Sequence, residues 1–355
     1  MNPPRGEETP PPATSAPIRS SPTLSKVAAA AGVSKATASR VLHGGKQVSP
    51  DLTARVHSAA RELGYVPDIA AQALRGRRDV LALLADDVGT EAVGAMVTAL
   101  ERAAHRDGLV ATVSAAGGNP VQQLQLLNTV RAMRPRGLIL TGTWLTAPEI
   151  QDELRQSLDA YTRDGDSRLV VIGRPHSHYP SIGFDDYGAG VAVAQHMARR
   201  HLRSVAVLGG PRHHHAYRDR TVGFREGLTE AGVHHIHVTH SQASPSGAAQ
   251  ALADALREHG VPDAVLAVND RIATGALHAL RDAGLDVPGD VALTGIDDIP
   301  LAQDLSPALT TIAFPFDIAG REAVRIVTSD RPQDTPRRTV LGGHLVVRDS
   351  CGLKH

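Results

Sequence analysis

A small all-α head followed by a larger α/β domain on parallel, doubly wound sheets is the architecture that three features of the sequence predict. The first is a pair of short helical patterns joined by a tight turn at residues 23–42. The second is the alternation of apolar runs with amphipathic stretches from Asp79 onward. The third is charge. Residues 19–78 hold ten Lys or Arg against Asp51, Glu62 and Asp68, a balance of +7, and the remainder holds 27 basic against 34 acidic side chains, a balance of −7. A basic head on an acidic body is the distribution expected when the head touches phosphate and the body does not.

At 355 residues the chain has room for one small and one large domain, each with its own core. A hydrophobic content of 42% is ordinary for a globular chain, and no apolar run approaches the roughly 20 residues that a bilayer span needs. Cys351 is the single cysteine, which excludes an intramolecular disulfide and any multi-cysteine metal site. The N-terminus is rich in Pro and Ser and lacks the charged-then-apolar order of a secretion signal, so a cytoplasmic location without membrane partners is expected.

Residues 1–21 are rich in Pro, Ser and Thr with few apolar side chains, the composition of a disordered extension. Thr23 then offers a hydroxyl to the free N–H groups that open a helix. Leu24, Val27, Ala28 and Ala31 form its apolar face, and Gly32 can take the positive φ that ends it. Ser34 caps a second helix whose Ala38, Val41 and Leu42 point back at the first, and the run of alanines lets the two cross closely. Ser49 and Pro50 open a third helix that Gly64 stops, with Val56, Ala59, Ala60 and Leu63 completing a three-helix core.

The second helix carries the chemistry. Lys35, Ala36 and Arg40 lie near its start or on its outward face, beside the short hydroxyls of Ser34, Thr37 and Ser39. A helix that enters the major groove needs a few side chains that reach base edges and several donors for phosphate. Arg can pair bidentately with guanine O6 and N7. The same local pattern also fits an ordinary helical hairpin with solvated charges.

Val27-Ala28, Ala31-Gly32-Val33-Ser34 and Thr37-Ala38-Ser39-Arg40-Val41-Leu42 resemble the head of the lactose-repressor (LacI/GalR) family of bacterial transcription regulators. The likeness continues through Val48-Ser49, Leu63-Gly64-Tyr65-Val66-Pro67 and Leu74 and covers nearly everything after Thr23. It implies a helix-turn-helix domain over residues 22–67 and a hinge helix over 68–78 that orders when two copies meet on DNA. Leu74 would then wedge open a base step in the minor groove. Asp68 and Gln72 stand where the family usually has Asn and Arg, which lowers positive charge beside phosphate. On its composition alone the stretch also reads as a plain linker.

From Asp79 the pattern gives strands at Val80–Ala85, Val110–Ser114, Gly137–Thr141, Arg168–Ile172, Ser204–Leu208, Ala264–Val268 and Val291–Thr294, with helical crossovers between them. Apolar strands with helical connections form a parallel sheet covered on both faces. There are enough units for two sheets, with the break between Gly173 and Ser204. The resemblance implies a periplasmic-binding-protein-like domain over residues 79–355, with two lobes, a hinge and a ligand cleft. Ligands of parallel sheets sit outside the carboxyl ends of the strands. The residues to examine are therefore Asp86 and Asp87, Arg174, Asp185 and Asp186, Arg220, Asn269 and Asp270, Asp297 and Asp298, and Phe314 and Phe316. Converging carboxylates with Arg or Asn suit the hydroxyls of a sugar or similar molecule, although each alone also fits a helix cap or turn. The resemblance narrows the effector set to Asp86, Arg174, Arg220, Asn269, Asp297 and Phe314.

His213-His214-His215 and His234, His235, His237 and His240 invite a metal reading, but consecutive histidines do not share one coordination geometry and no spaced carboxylate accompanies them. Solvated loop histidines are expected, with His214 alone a candidate to face the cleft. No nucleophile elbow, phosphate loop or partnered base is present, so neither catalysis nor a cofactor is expected. The reading is a homodimeric repressor that binds a near-palindromic operator and responds to a small polar effector. Its rivals are a solute-binding module without operator function and a two-lobed enzyme.

Overall fold

The structure, a computed structural model, describes residues 22–42, 48–65, 79–85, 87–117, 119–141, 150–163, 167–173, 178–329 and 337–353. The chain divides into two compact units, residues 1–77 and 78–355. Leu74, Asp86 and Arg174, like the hinge positions Asp68 and Gln72, lie outside the described residues.

The first unit contains α1 (Leu24–Ala30), α2 (Lys35–Leu42) and α3 (Pro50–Glu62). Each helix begins on a hydroxyl cap: Thr23 Oγ1 accepts from Lys26 N at 3.4 Å, Ser34 Oγ from Thr37 N at 3.0 Å, and Ser49 Oγ from Leu52 N at 3.4 Å. Gly32, at φ 63°, turns the chain out of α1, and Arg55 Nη2 donates to the Ala31 carbonyl at 2.6 Å. The core is Leu24, Val27, Ala28, Ala31, Ala38, Val41, Val56, Ala59 and Ala60, the predicted inward faces. Leu63 departs from the prediction: it is 38% exposed. It occupies the C-cap of α3, where the chain leaves the helical path, and the Tyr65 N–H to Ala60 carbonyl bond folds Tyr65 onto the core in its place.

The second unit has two lobes. The first is built from β1 (Val80–Ala85), α4 (Glu91–Arg106), β2 (Val110–Ala115), α5 (Pro120–Ala132), β3 (Gly137–Thr141), α6 (Gln151–Thr162), β4 (Arg168–Gly173) and β5 (Ser181–Phe184). The second contains α7 (Asp186–Ala198), β6 (Ser204–Gly209), α8 (His215–Glu230), β7 (His235–His240), α9 (Pro245–His259), β8 (Ala264–Ala267), α10 (Asp270–Asp282), β9 (Ala292–Thr294), α11 (Leu301–Asp304) and β10 (Thr311–Ala313). The chain then returns to the first lobe through α12 (Phe316–Thr328) and β11 (Arg338–Leu341), and crosses again to β12 (His344–Val346), which pairs antiparallel with β10. The larger sheets are parallel, in the orders β11-β5-β4-β3-β1-β2 and β7-β6-β8-β9.

Burial in the first sheet follows the two-residue period of a strand. Leu81, Leu83, Ile139, Val170 and Ile172 meet α4 and α12, whereas Ala82, Leu84, Leu138, Leu140 and Val171 pack with Leu127, Leu154 and Leu158 on the other face. Strand β2 is the exception. It forms the edge of the sheet, which leaves Val110 and Val113 exposed.

Of the histidines of the 234–240 segment, only His234 lies in a loop, exposed just before the strand. His235, His237 and His240 lie on β7, with Ile236 and Val238 against the core and the strand in parallel register with β6. The alternation of His with apolar or β-branched residues is itself a strand pattern. His237 stacks on His259 of α9, ring centroids 4.2 Å apart.

Candidate functional site

In the first unit, α2 presents its polar face to solvent. Ser34, Lys35, Ala36 and Arg40 are exposed and Thr37 and Ser39 half-buried, while Ala38 and Val41 anchor the opposite face. Ser34 does two things at once, because its hydroxyl caps α2 and lies 2.9 Å from the Thr37 hydroxyl. Among the described residues neither Lys35 nor Arg40 is held in an ion pair, so both are available to a polyanion.

In the second unit the sequence brings its candidate residues together around Arg220. Helices α7 and α8 cross closely enough that a Cβ on Gly190 would collide with the Arg220 carbonyl, and one on Gly223 with that of Tyr187. This approach sets Arg220 against Asp186 at the start of α7, Nε to Oδ1 at 2.8 Å. Nη1 donates to the Val268 carbonyl at 2.8 Å and lies 3.0 Å from Asp297 Oδ1, an ionic contact rather than an aligned hydrogen bond. The Phe314 ring centroid is 5.3 Å from the guanidinium carbon, a cation–π distance.

Burial would depress the Arg220 pKa, but Asp297 and Asp186 outweigh it and hold the guanidinium charged. The carboxylates feel the converse. Burial raises Asp186, with Arg220 opposing, and lifts Asp297 to about 6. Asp297 also adopts φ 116°, a region that favours glycine. Burial, and then the charge of Asp297, raise Asp270. Asp270 is nonetheless satisfied from within, accepting from the Thr311 hydroxyl at 2.6 Å and the Ile299 N–H at 2.9 Å.

Asn269 caps α10 through Ile272 N and also donates Nδ2 to the Tyr217 hydroxyl at 3.1 Å. The cap role and the cluster role therefore coexist. Tyr217 carries no motif of its own in the sequence, although its position one helical turn before Arg220 places it on the same face. Its ring stacks on His214, centroids 4.0 Å apart. Burial, followed by the positive charge of Arg220, lowers the His214 pKa to about 4, so the ring is neutral at pH 7. Its Nδ1 is buried without a partner among the described residues. Phe314 packs with Phe184 and Phe316, centroids 5.2 and 6.0 Å away, where the chain passes between lobes.

Two family models match the chain: bacterial regulatory proteins of the lacI family over residues 23–68, and a periplasmic binding protein-like domain over residues 194–351. The transcriptional regulator CelR of Thermobifida fusca is 31% identical over 351 residues, covering 94% of this chain and 99% of the relative. The chain belongs to the LacI family. Within that family, GalR of Escherichia coli is 29% identical, covering 86% of this chain and 88% of its own. Among solved LacI-family structures, a Lac repressor dimer bound to operator and an anti-inducer superposes with a TM-score of 0.80 at 26% identity, covering 93% of this chain and 98% of that one. A CelR–cellobiose complex gives 0.68 at 28% identity, with 93% and 99% covered. These named relatives are transcriptional regulators, and the LacI-family chain described here shares both their helix-turn-helix head and their two-lobed α/β body.

Proposed function

We propose that the protein is a homodimeric, cytoplasmic repressor whose operator affinity is set by a neutral sugar-like effector, and that it catalyses no reaction. The domain assignment is a head over residues 22–67, a hinge over 68–78 and an effector-binding, dimer-forming body over 79–355. Lys35, Ala36 and Arg40 read base edges. Ser34, Thr37 and Ser39 meet phosphate, and Leu74 enters the minor groove between half-sites. The observation that carries this reading is the outward face of α2, where Lys35 and Arg40 stand exposed without ion-pair partners among the described residues.

The effector class follows from charge. Arg220 is already engaged by Asp186, Asp297 and the Val268 carbonyl, so the cluster offers acceptors rather than a free cation. Hydroxyl donors suit it better than a carboxylate or phosphate, and Phe314 supplies an apolar wall for a ring. The cellobiose in the CelR complex supports the same class. Arg220, Asn269, Asp297 and Phe314, with Asp86 and Arg174, are the effector contacts in this reading. An effector that weakens DNA binding must itself bind more weakly to the DNA complex.

The test is selection of the purified protein on random duplex DNA at fixed moderate salt, with and without a saccharide mixture. Enrichment of a two-fold symmetric site whose affinity a saccharide changes is the expected result. Absence of enrichment under both conditions would overturn the reading in favour of a solute-binding module.

A further inference from the structure

A cavity of about 280 Å³ lies on α8, between that helix, the loop after β6 and the edge strand β7. Arg218, Val222 and Arg225 recur at four- and three-residue spacing and so share one face of α8. Arg212 approaches from the loop, Val238 and His240 from β7, and the Tyr217 ring forms part of the wall. The lining therefore combines three guanidinium-bearing side chains with apolar surface and contains no carboxylate. Arg218 is partly neutralised by Asp219, 3.6 Å away, whereas neither Arg212 nor Arg225 is ion-paired among the described residues.

Clustered guanidinium groups repel one another unless an anion bridges them, and their fork geometry matches phosphate oxygens. A volume near the lower end of the range for ligand pockets, about 300–1,000 Å³, suits a small metabolite rather than a polymer. We infer that this cavity is a second ligand site, separate from the Arg220 cluster, for a small phosphate monoester with an apolar or ring-shaped body. The phosphate would sit among Arg212, Arg218 and Arg225, and the body against Val222, Val238 and Tyr217. Tyr217 also takes the Asn269 amide, so one ring lies between this cavity and the proposed effector contacts.

Calorimetric titration of the full chain with phenyl phosphate at constant ionic strength tests the site, with benzoate and inorganic phosphate as further probes. Saturable binding of one phenyl phosphate per chain, tighter than either other probe, is expected. Arg212 and Arg225 are exposed, so the Arg212→Ala/Arg225→Ala variant should keep its unfolding temperature and lose about tenfold or more in affinity. The milder Arg225→Gln should weaken binding in the same direction. Arg40→Ala should leave it unchanged, which separates this cavity from the DNA-reading helix. Failure of phenyl phosphate to saturate, or equal affinity in the native and double-variant proteins, would overturn the assignment.

Discussion

Arg220 and Asp186 meet where α8 crosses α7, Nε to Oδ1 at 2.8 Å, with both side chains at least nine-tenths out of solvent. Asp297 adds a second carboxylate to the same guanidinium at 3.0 Å. One cation thus serves two buried anions. Arg220→Met should leave both carboxylates uncompensated and cost about 3–5 kcal/mol at pH 7. Burial already raises the pKa of both, so in the variant they will take up protons on mild acidification. Urea unfolding should therefore show a smaller loss at pH 5 than at pH 7. An equal loss at the two pH values would mean that shape rather than charge compensation sets the cost.

Much of this arrangement was legible in the sequence because strand ends announce themselves. Asp186, Asn269 and Asp297 each follow a strand or its turn, and Arg220 falls early in a helix that begins after β6. Unbroken apolar runs placed β1, β3 and β4, as expected of strands buried on both faces, and the helical period placed the three head helices. What the sequence did not reveal is which polar groups the protein satisfies for itself. Asp270 resembles Asp297 in the sequence, yet Thr311 and Ile299 come from distant positions to engage it. Strand β7 is hidden in the sequence because its alternating partners are histidines, and the place of Tyr217 because it depends on a contact with Asn269, 52 residues away.

Ser34 joins two functions that substitution can separate. Ser34→Ala removes the cap on α2 and should lower the stability of the head by about 1 kcal/mol. Ser34→Asp keeps a good capping side chain but places an anion where the proposed phosphate contact lies. Thermal unfolding should then be near native for the Asp variant and reduced for the Ala variant, with operator affinity falling most for Asp. Native operator affinity in Ser34→Asp would remove this position from the DNA interface.

Arg40 is exposed on α2 and carries no cap or core role, so its loss should leave folding unchanged. Arg40→Ala is expected to reduce discrimination at one base pair of each half-site by about 1–3 kcal/mol. Repeating the random-duplex selection with this variant reads that directly. A uniform weakening without relaxed sequence preference would instead assign Arg40 to phosphate.

His214 makes acid stability a local probe. Its pKa is about 4 in the folded protein against the ordinary histidine value of 6.5, so the unfolded chain binds the proton first as pH falls. Stability is therefore lost from about pH 6.5 down to about pH 4, by roughly 3 kcal/mol at most. Asp297 acts in the opposite sense, because its raised pKa lets the folded state take a proton first between about 6 and 3.8. His214→Phe keeps a ring against Tyr217 and removes only the first effect. The stability difference between native and variant proteins should shift in favour of the variant across that window and stay flat above pH 7. A difference independent of pH would show that His214 is not desolvated.

Arg271, two residues after Asn269, reaches across from the second lobe to the first and donates Nη1 to the Gly89 carbonyl at 3.3 Å. Gly89 follows β1, and its own N–H is held by Asp87 Oδ1 at 2.7 Å, which fixes the carbonyl that Arg271 meets. The bond exists only while the lobes are close. Arg271→Ala should therefore favour the open form and weaken effector binding about fivefold, since only ligand that closes the lobes bears the added cost. The contact is near solvent and contributes little to either lobe alone, so the urea midpoint should not move. Small-angle scattering of the effector-free variant should give a larger radius of gyration than the native protein. An unchanged radius together with unchanged effector affinity would show that lobe closure is held elsewhere, with the Phe184–Phe314 contact at the crossing as the next candidate.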